Sequence, residues 1–249
     1  RYNGTSLMGL NRNEMNSLRK EINIIFQDPY SSLDPRMTTG DLIAEPMKIH
    51  NIGTPQEREE KVRSLLQMVG LDYYHTIRYP HEFSGGQRQR VNIARALAMD
   101  VKLLVCDEPV SALDVSVQAQ VLNLLKELKD RLNLTYIFIS HDLSVVKYIS
   151  DRIIIMYLGR IMEMGNVEEI YAHPAHPYTQ ALFSAIPPVS PFETKEPIKL
   201  TGEIPSPLNM PPGCPFCNRC PYATAACREE LPALREVGPD HQAACLRCQ

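Results

Sequence analysis

Two short segments carry residue types that could do chemistry on a phosphate group. The first is Ser84-Gly85-Gly86-Gln87, which precedes an apolar-periodic run, and the second is an apolar run over residues 103–106 that ends in Asp107 and Glu108. A serine and two glycines at the start of a helix leave backbone N–H groups open toward an anion, and the helix dipole adds to the attraction. A side chain larger than glycine would hold the phosphate away. The first segment therefore predicts a phosphate-facing helix N-terminus.

The two adjacent carboxylates of the second segment can divide the work of hydrolysis. A short apolar run is typical of a buried parallel strand, and such a strand delivers the residues at its carboxyl end to one edge of a sheet. Asp107 is predicted to hold Mg²⁺, directly or through water. Glu108 is predicted to polarise the attacking water.

These segments, in this order, resemble the ATP-binding cassette (ABC) ATPases. Residues 84–87 match the signature motif, residues 106–108 the end of the Walker B strand and residues 111–114 the D-loop, while His141 matches the switch histidine and Gln27 the glutamine of the Q-loop. The resemblance implies that Ser84, Gly85, Gly86, Gln87, Asp107 and Asp114 bind ATP. It also implies that Gln27 helps Asp107 to arrange Mg²⁺ and water, and that His141 contacts the γ-phosphate.

The phosphate-binding loop of that family is absent from the sequence. No G-x-x-x-x-G-K-[ST] pattern occurs in the 249 residues, so the lysine and hydroxyl that would hold the β- and γ-phosphates are missing. The first residue is Arg1. We interpret the chain as an N-terminally truncated cassette, and a cassette that naturally lacks the loop is the alternative.

Composition excludes several classes of function. The net charge is -3, with acidic and basic residues interspersed, which argues against nucleic acid as a partner. The longest apolar runs, such as residues 153–156, are far shorter than a membrane span.

The pattern predicts an α/β fold: a P-loop NTPase-like cassette core with a helical subdomain and a small cysteine-rich C-terminal module. The cassette is expected over residues 1–186, with the helical subdomain at about 46–98, where Thr54-Pro55-Gln56-Glu57 is a capping box. From residue 101, strands and helices alternate, which predicts a parallel sheet that includes a strand at 152–157. Residues 187–249 are expected to be a proline-rich linker followed by the cysteine module.

The C-terminal module carries six of the seven cysteines. It has few large apolar residues, so a metal or covalent staple is expected. Cys214, Cys220, Cys227 and Cys245 have C-x5-C-x6-C-x17-C spacing, which resembles the C-terminal module of oligopeptide and dipeptide importer ATPases. The resemblance implies a [4Fe-4S] cluster held by these four thiolates. Cys217 and Cys248 create additional C-x2-C pairs, so zinc remains an alternative, and free thiols are a third.

The resemblance to this subfamily extends over nearly the whole chain, through Gln27-Asp28-Pro29-Tyr30-Ser31-Ser32-Leu33-Asp34-Pro35 and His176-Pro177-Tyr178-Thr179-Gln180. It implies an ATPase subunit that lies on the cytoplasmic face of the cell membrane and powers peptide import. The implied partners are transmembrane permease subunits, a second cassette subunit and, indirectly, an extracytoplasmic peptide-binding protein. The alternatives are a non-catalytic partner subunit that contributes only its signature motif, and a soluble cassette ATPase of another class.

Overall fold

The computed structural model describes residues 1–187, 196–206 and 208–248. The chain divides into two compact units, one of residues Arg1–His141 and one that begins at Asp142. The predicted linker falls partly outside the described residues, and its described part, residues 196–206, forms neither helix nor strand. The described residues include no helix that is long and apolar enough to cross a membrane.

The first unit is built on a parallel sheet of three described strands. Strands β1 (Ile22–Ile25), β2 (Leu103–Asp107) and β3 (Thr135–Ile139) lie side by side in that order. The helices of this unit are α1 (Arg12–Leu18), α2 (Thr39–Ile49), α3 (Pro55–Met68), α4 (Gly85–Ala96) and α5 (Val115–Leu132). Two short 3₁₀ helices, Tyr73–Ile77 and Pro80–Glu82, connect α3 to α4.

Local sequence explains where these helices begin. Thr54 and Glu57 cap α3 reciprocally, and Pro55 occupies its first turn, as the capping box predicts. The apolar stripe of α3 is buried at Val62, Leu65 and Leu66. Helices therefore occupy much of the region expected to be the helical subdomain.

One face of the parallel sheet is covered more completely than the other. Leu104 and Cys106 on β2 are fully buried. In the row of Leu104, Asn23 donates to the Ala96 carbonyl of α4 (2.9 Å) and the hydroxyl of Tyr136 to a carbonyl of α5 (2.9 Å). In the opposite row, which passes through Val105, Ile24 is 37% and Ile137 51% exposed.

The second unit contains an antiparallel sheet, in the order β4 (Arg152–Tyr157), β5 (Arg160–Asn166), β7 (His241–Ala243) and β6 (Arg235–Gly238). Its helices are α6 (Leu143–Ile149), α7 (Val167–Ala172), α8 (Pro177–Ser184) and α9 (Ala226–Glu229). The prediction that the strand at 152–157 continues the parallel sheet was wrong, because β4 pairs with β5 through a tight turn at Leu158-Gly159. Both turn residues have positive φ, which suits a hairpin.

A buried carboxylate joins the C-terminal hairpin to β5. Glu163 is inaccessible to solvent, and its side chain accepts hydrogen bonds from the backbone N–H groups of Ala175 (2.7 Å) and His176 (3.0 Å). His241 Nε2 lies 2.6 Å from the same carboxylate. These bonds compensate the cost of burying the acid, and they fix β7 next to the segment that leads into α8.

Candidate ATP-hydrolysis site and cysteine cavity

The carboxyl ends of the parallel strands bring most of the predicted catalytic residues together. Gln27 lies two residues after β1, Asp107 ends β2 and is followed by Glu108, and His141 lies two residues after β3. Parallel strands deliver such residues to one edge of the sheet, which is where open α/β sheets bind their ligands.

Glu108 is the centre of this group. Its Oε2 accepts a hydrogen bond from the side-chain amide of Gln27 (2.7 Å), and its Oε1 lies 3.0 Å from His141 Nδ1. A carboxylate only accepts hydrogen bonds, so Nδ1 of His141 carries the proton. The neutral ring then presents Nε2 as an acceptor, and only the protonated ring can donate from Nε2 to a phosphate.

The backbone of Glu108 is in the left-handed region, with φ of 43°. This conformation is unfavourable for a side chain larger than glycine, and it persists where the surroundings impose it. Here the Glu108 N–H donates to the carbonyl of Ile139 (3.0 Å), and the Glu108 carbonyl accepts the Ser111 hydroxyl (3.0 Å). The strand end of β3 and the following turn therefore aim the carboxylate.

A second group lies at the N-terminus of α4. Ser84 is the N-cap: its hydroxyl accepts the backbone N–H of Gln87 (3.3 Å), while the Gln87 side chain accepts the Ser84 N–H (3.0 Å). The side chain of each residue thus accepts a hydrogen bond from the backbone N–H of the other. The N–H groups of Gly85 and Gly86 lie in the first turn, where an anion can bind them.

The two glycines of this turn are glycines for different reasons. A methyl group added at Gly86 would lie 2.3 Å from Cγ1 of Val117 on α5, so close packing of the two helices already requires glycine there. A methyl group at Gly85 would meet Cδ2 of Leu113 at 3.5 Å, an ordinary contact. Packing within this unit therefore does not require glycine at position 85.

Asp114 is the N-cap of α5. Its carboxylate accepts the backbone N–H of Val117 (3.0 Å) and the hydroxyl of Ser116 (2.8 Å), and these bonds lower its pKa, the backbone bond most. The contacts of Asp114 in this chain are those of a helix cap. Its predicted role in binding nucleotide stays a prediction, as do the roles of the other residues of both groups.

The predicted cluster ligands surround one cavity in the second unit. Cys214, Cys220, Cys227 and Cys245 all line it, together with His176, Phe216 and Arg247. In addition, Cys217 lines the same cavity although it lies outside the recognised spacing, and it is only 3% exposed. The C-x2-C pattern was the available sequence signal for Cys217.

The cysteines of this cavity form no disulfide bonds in the structure. All seven cysteines are free. Burial raises the pKa of Cys214 to about 11 and also raises the pKa of Cys220. Among the described residues, no three His, Cys, Asp or Glu side chains are arranged to hold a metal ion.

Two long-range contacts connect α4 to the turn that follows Gln27. The guanidinium carbon of Arg88 lies 3.7 Å from the ring centre of Tyr30, and Arg95 donates to the carbonyl of Ser32 (2.7 Å). No local pattern predicts these contacts, because the partners are about 60 residues apart in the chain.

Known families match both ends of the chain. A model described as ABC transporter matches residues 1–111, and one described as oligopeptide/dipeptide transporter, C-terminal region, matches residues 162–227.

Related proteins match nearly the whole length of this chain. A putative peptide import ATP-binding protein of Brucella ovis is 54% identical over 246 residues, 99% of this chain and 78% of the relative. The oligopeptide transport ATP-binding protein AppF of Bacillus subtilis is 52% identical over 98% of this chain and 75% of its own length. The di/tripeptide transport ATP-binding protein DppF of Pseudomonas aeruginosa is 49% identical over 97% of this chain and 75% of its own length.

Solved structures give the same fold for the cassette part. CbiO1 of Clostridium perfringens, part of the ABC transporter complex cbiONQ, is 31% identical with a TM-score of 0.58, covering 66% of this chain and 64% of that one. The ATP-binding cassette MJ0796, solved as a dimer bound to ADP and Pi, is 29% identical with a TM-score of 0.56, covering 64% of this chain and 68% of that one. The chain therefore belongs to the ABC transporter ATPases, within the oligopeptide/dipeptide transporter family.

Proposed function

We propose that this chain is the ATP-hydrolysing subunit that powers import of oligopeptides or dipeptides across the cytoplasmic membrane. The observation that carries the proposal is the arrangement at Glu108, whose two carboxylate oxygens are held by Gln27 and His141 at 2.7 and 3.0 Å. A carboxylate fixed on both sides at the carboxyl edge of a parallel sheet is suited to take a proton from an attacking water.

Each residue of this group has a role in the proposed reaction. Glu108 is the general base, His141 senses the γ-phosphate and keeps the carboxylate oriented, and Asp107 with Gln27 would hold Mg²⁺. The oxygen donors of an acid and an amide fit that ion. Bound Mg-ATP supplies the phosphoryl group and part of the charge neutralisation, and the protein positions the water.

The N-terminus of α4 serves a nucleotide held by a second cassette subunit. Residues 84–87 and Asp114 would contact phosphates across that interface, and a glycine at position 85 that packing does not require supports this role. Membrane permease subunits would dock near residues 27–37 on the cytoplasmic side, and an extracytoplasmic binding protein would deliver the peptide. The family membership supports these partners.

Peptide uptake by the reconstituted importer tests the proposal. The intact subunit, assembled with its membrane partners in proteoliposomes, should import labelled peptide only when Mg-ATP is supplied. Glu108→Gln should slow ATP hydrolysis by about 10² to 10⁴ while ATP still binds, because a positioned general base contributes that much. Glu127→Gln, on the exposed face of α5, is the matched control and should leave hydrolysis unchanged.

Two outcomes would contradict the proposal. Absence of ATP-dependent uptake by the wild-type importer would exclude peptide transport. Unchanged hydrolysis in Glu108→Gln would instead identify the chain as a non-catalytic partner subunit.

We also propose that residues 1–186 form the cassette and that the region from residue 187 carries a cysteine module with a [4Fe-4S] cluster. The donor set fits such a group, since the four thiols line one cavity with apolar walls. Cysteine thiolates are the ligands that hold such clusters in proteins. Structural zinc is also held by cysteine thiolates, so zinc is the alternative metal.

Iron analysis of anaerobically purified protein tests the cluster. We expect about four irons per chain and broad absorption near about 400 nm. Serine at Cys214, Cys220, Cys227 or Cys245 should remove the iron. Cys248→Ser is the control, because Cys248 is not among the residues that line the cavity, although its thiol contacts the Ala175 carbonyl (3.4 Å) and Cys245. One zinc and no iron would exclude the cluster.

A further inference from the structure

The segment that follows Gln27 is a fixed turn. The Asp28 carboxylate accepts the backbone N–H groups of Tyr30 (2.8 Å) and Ser31 (3.3 Å), and the Ser32 hydroxyl donates to the Asp28 carbonyl (2.6 Å). Leu33, at the end of the turn, is 2% exposed. Because these bonds tie the turn together, a displacement of Gln27 displaces Tyr30 with it.

Two arginines of α4 hold this turn. Arg88 and Arg95 are seven residues apart, which places them on one face of the helix two turns from each other. Arg95 binds the Ser32 carbonyl (2.7 Å) and forms an ion pair with Glu45 on α2 (2.9 Å). Arg88 instead lies over the ring of Tyr30, at 3.7 Å.

The environment of Arg88 makes the aromatic contact important. Arg88 is 6% exposed, its Nε donates to the Pro80 carbonyl (2.6 Å), and its Nη1 has no hydrogen-bond partner among the described residues. A buried guanidinium that is only partly hydrogen-bonded is costly, and a cation over an aromatic face is attracted more strongly when water is excluded. Tyr30, by contrast, is 63% exposed and reaches Arg88 with one face of its ring.

The contacts form a continuous path between the two groups of the site. Glu108 binds Gln27, Gln27 begins the turn that carries Tyr30, and Tyr30 packs on Arg88. Arg88 directly follows Gln87 on α4, so a shift of the guanidinium acts on the first turn of the helix.

We propose that Tyr30 and Arg88 are a positioning pair that couples Gln27 to the phosphate-facing N-terminus of α4. The pair acts through Gln27 on one side and through the first turn of α4 on the other. This inference rests on the proposed function, because it assumes that Gln27 belongs to the hydrolysis site and that α4 faces the partner's nucleotide.

A double-mutant cycle in the reconstituted importer tests the pair. Tyr30→Leu removes the aromatic face, Arg88→Met removes the charge, and Tyr30→Phe keeps the ring. We expect Tyr30→Leu to lower the number of peptides imported per ATP hydrolysed by about tenfold, the usual size of one coupling interaction. KM for ATP should stay unchanged, Tyr30→Phe should behave as wild type, and the double variant should be no worse than the worse single variant.

A second cation–π pair provides the matched control. Arg63 lies over the ring of Tyr73 at 4.2 Å, on α3 and the 3₁₀ helix that follows it. Tyr73→Leu removes a comparable contact and should leave the ratio of uptake to hydrolysis unchanged.

The possible failures can be distinguished. A wild-type importer without ATP-dependent uptake would overturn the proposed function. An active wild type with additive effects of Tyr30→Leu and Arg88→Met, or with an unchanged ratio in Tyr30→Leu, would overturn the positioning pair alone. If Arg88→Met does not fold, the comparison of Tyr30→Leu with Tyr30→Phe still tests the pair, because Tyr30 is a surface residue. Equal ratios of peptide uptake to ATP hydrolysis in these two variants would overturn the positioning pair.

Discussion

At the scale of single residues, the site contains two kinds of residue. Some have hydrogen bonds that cap the helices of this chain, and others have a conformation or residue type that the fold alone does not require. Ser84 and Gln87 satisfy each other as a capping box, and Asp114 caps α5. Glu108, in contrast, adopts a left-handed backbone conformation that costs free energy, and Gln27 and His141 hold its carboxylate. At Gly85 an added methyl group would make only an ordinary contact with Leu113, so packing within the first unit does not require glycine there. Backbone strain at Glu108 and a glycine that packing does not require at position 85 support the proposed roles of these two residues.

Gly85→Asp should fold but fail to form an ATP-dependent dimer. The space beside Leu113 accepts a side chain, whereas a carboxylate there would face the phosphates of the partner's nucleotide and repel them. We expect ATP-dependent dimerisation of the intact subunit, measured by light scattering, to weaken by at least about tenfold. Gly85→Asn has the same size without the charge and should be less impaired. Equal loss in both variants would show that size alone matters.

At the scale of elements, the contact between α4 and α5 determines part of the signature sequence. The closest atom to Gly86 in that contact belongs to Val117, in the first turn of α5. A small residue at a helix crossing lets two backbones approach each other. The glycines of residues 84–87 can therefore reflect helix packing as well as phosphate binding. Sequence reasoning alone cannot separate these two causes.

Gly86→Ala should destabilise the first unit, and Val117→Ala should rescue it. The added methyl group would lie 2.3 Å from Cγ1 of Val117, and an overpacked contact of this kind costs about 1–3 kcal/mol. Removing Cγ1 opens the space, so the double variant should be more stable than Gly86→Ala alone. Urea denaturation measures the free energy of unfolding of all three variants. A double variant with no recovery would mean that the helices do not pack in this register.

At the scale of the whole molecule, the ATPase residues and the cysteine cavity belong to different compact units. Gln27, Glu108 and His141 lie in the unit Arg1–His141, and the cysteine cavity lies in the unit that begins at Asp142. The second unit joins strands from both sides of the predicted boundary at residue 187, since β7 pairs with β5. Loss of the proposed cluster should therefore loosen this sheet before it affects the hydrolysis residues.

The 249-residue chain alone should bind Mg-ATP weakly. Its sequence has no G-x-x-x-x-G-K-[ST] pattern, and each missing charge-assisted hydrogen bond to phosphate is worth about 1.5–3 kcal/mol. Isothermal titration calorimetry should give a dissociation constant at least about a hundredfold weaker than that of a relative that carries the loop. Micromolar affinity of this chain would contradict the expectation.

The sequence by itself determined the chemistry and the family of this protein. The order Gln27, residues 84–87, Asp107-Glu108 and His141 predicted an ABC ATPase, and the relatives confirm that family. Helix caps such as Thr54 and Ser84 were also predictable. These features are local: a cap or a strand end depends on residues within a few positions, so the pattern is visible in the chain.

Only the tertiary structure decided which distant residues meet. In the structure, β4 pairs with β5 and not with the parallel sheet, Cys217 lines the cysteine cavity, and Tyr30 packs on Arg88. Strand pairing and side-chain packing depend on residues that are far apart in sequence, and alternation alone does not specify the partner strand. The same reason explains Gly86, whose requirement for glycine comes from Val117 on another helix.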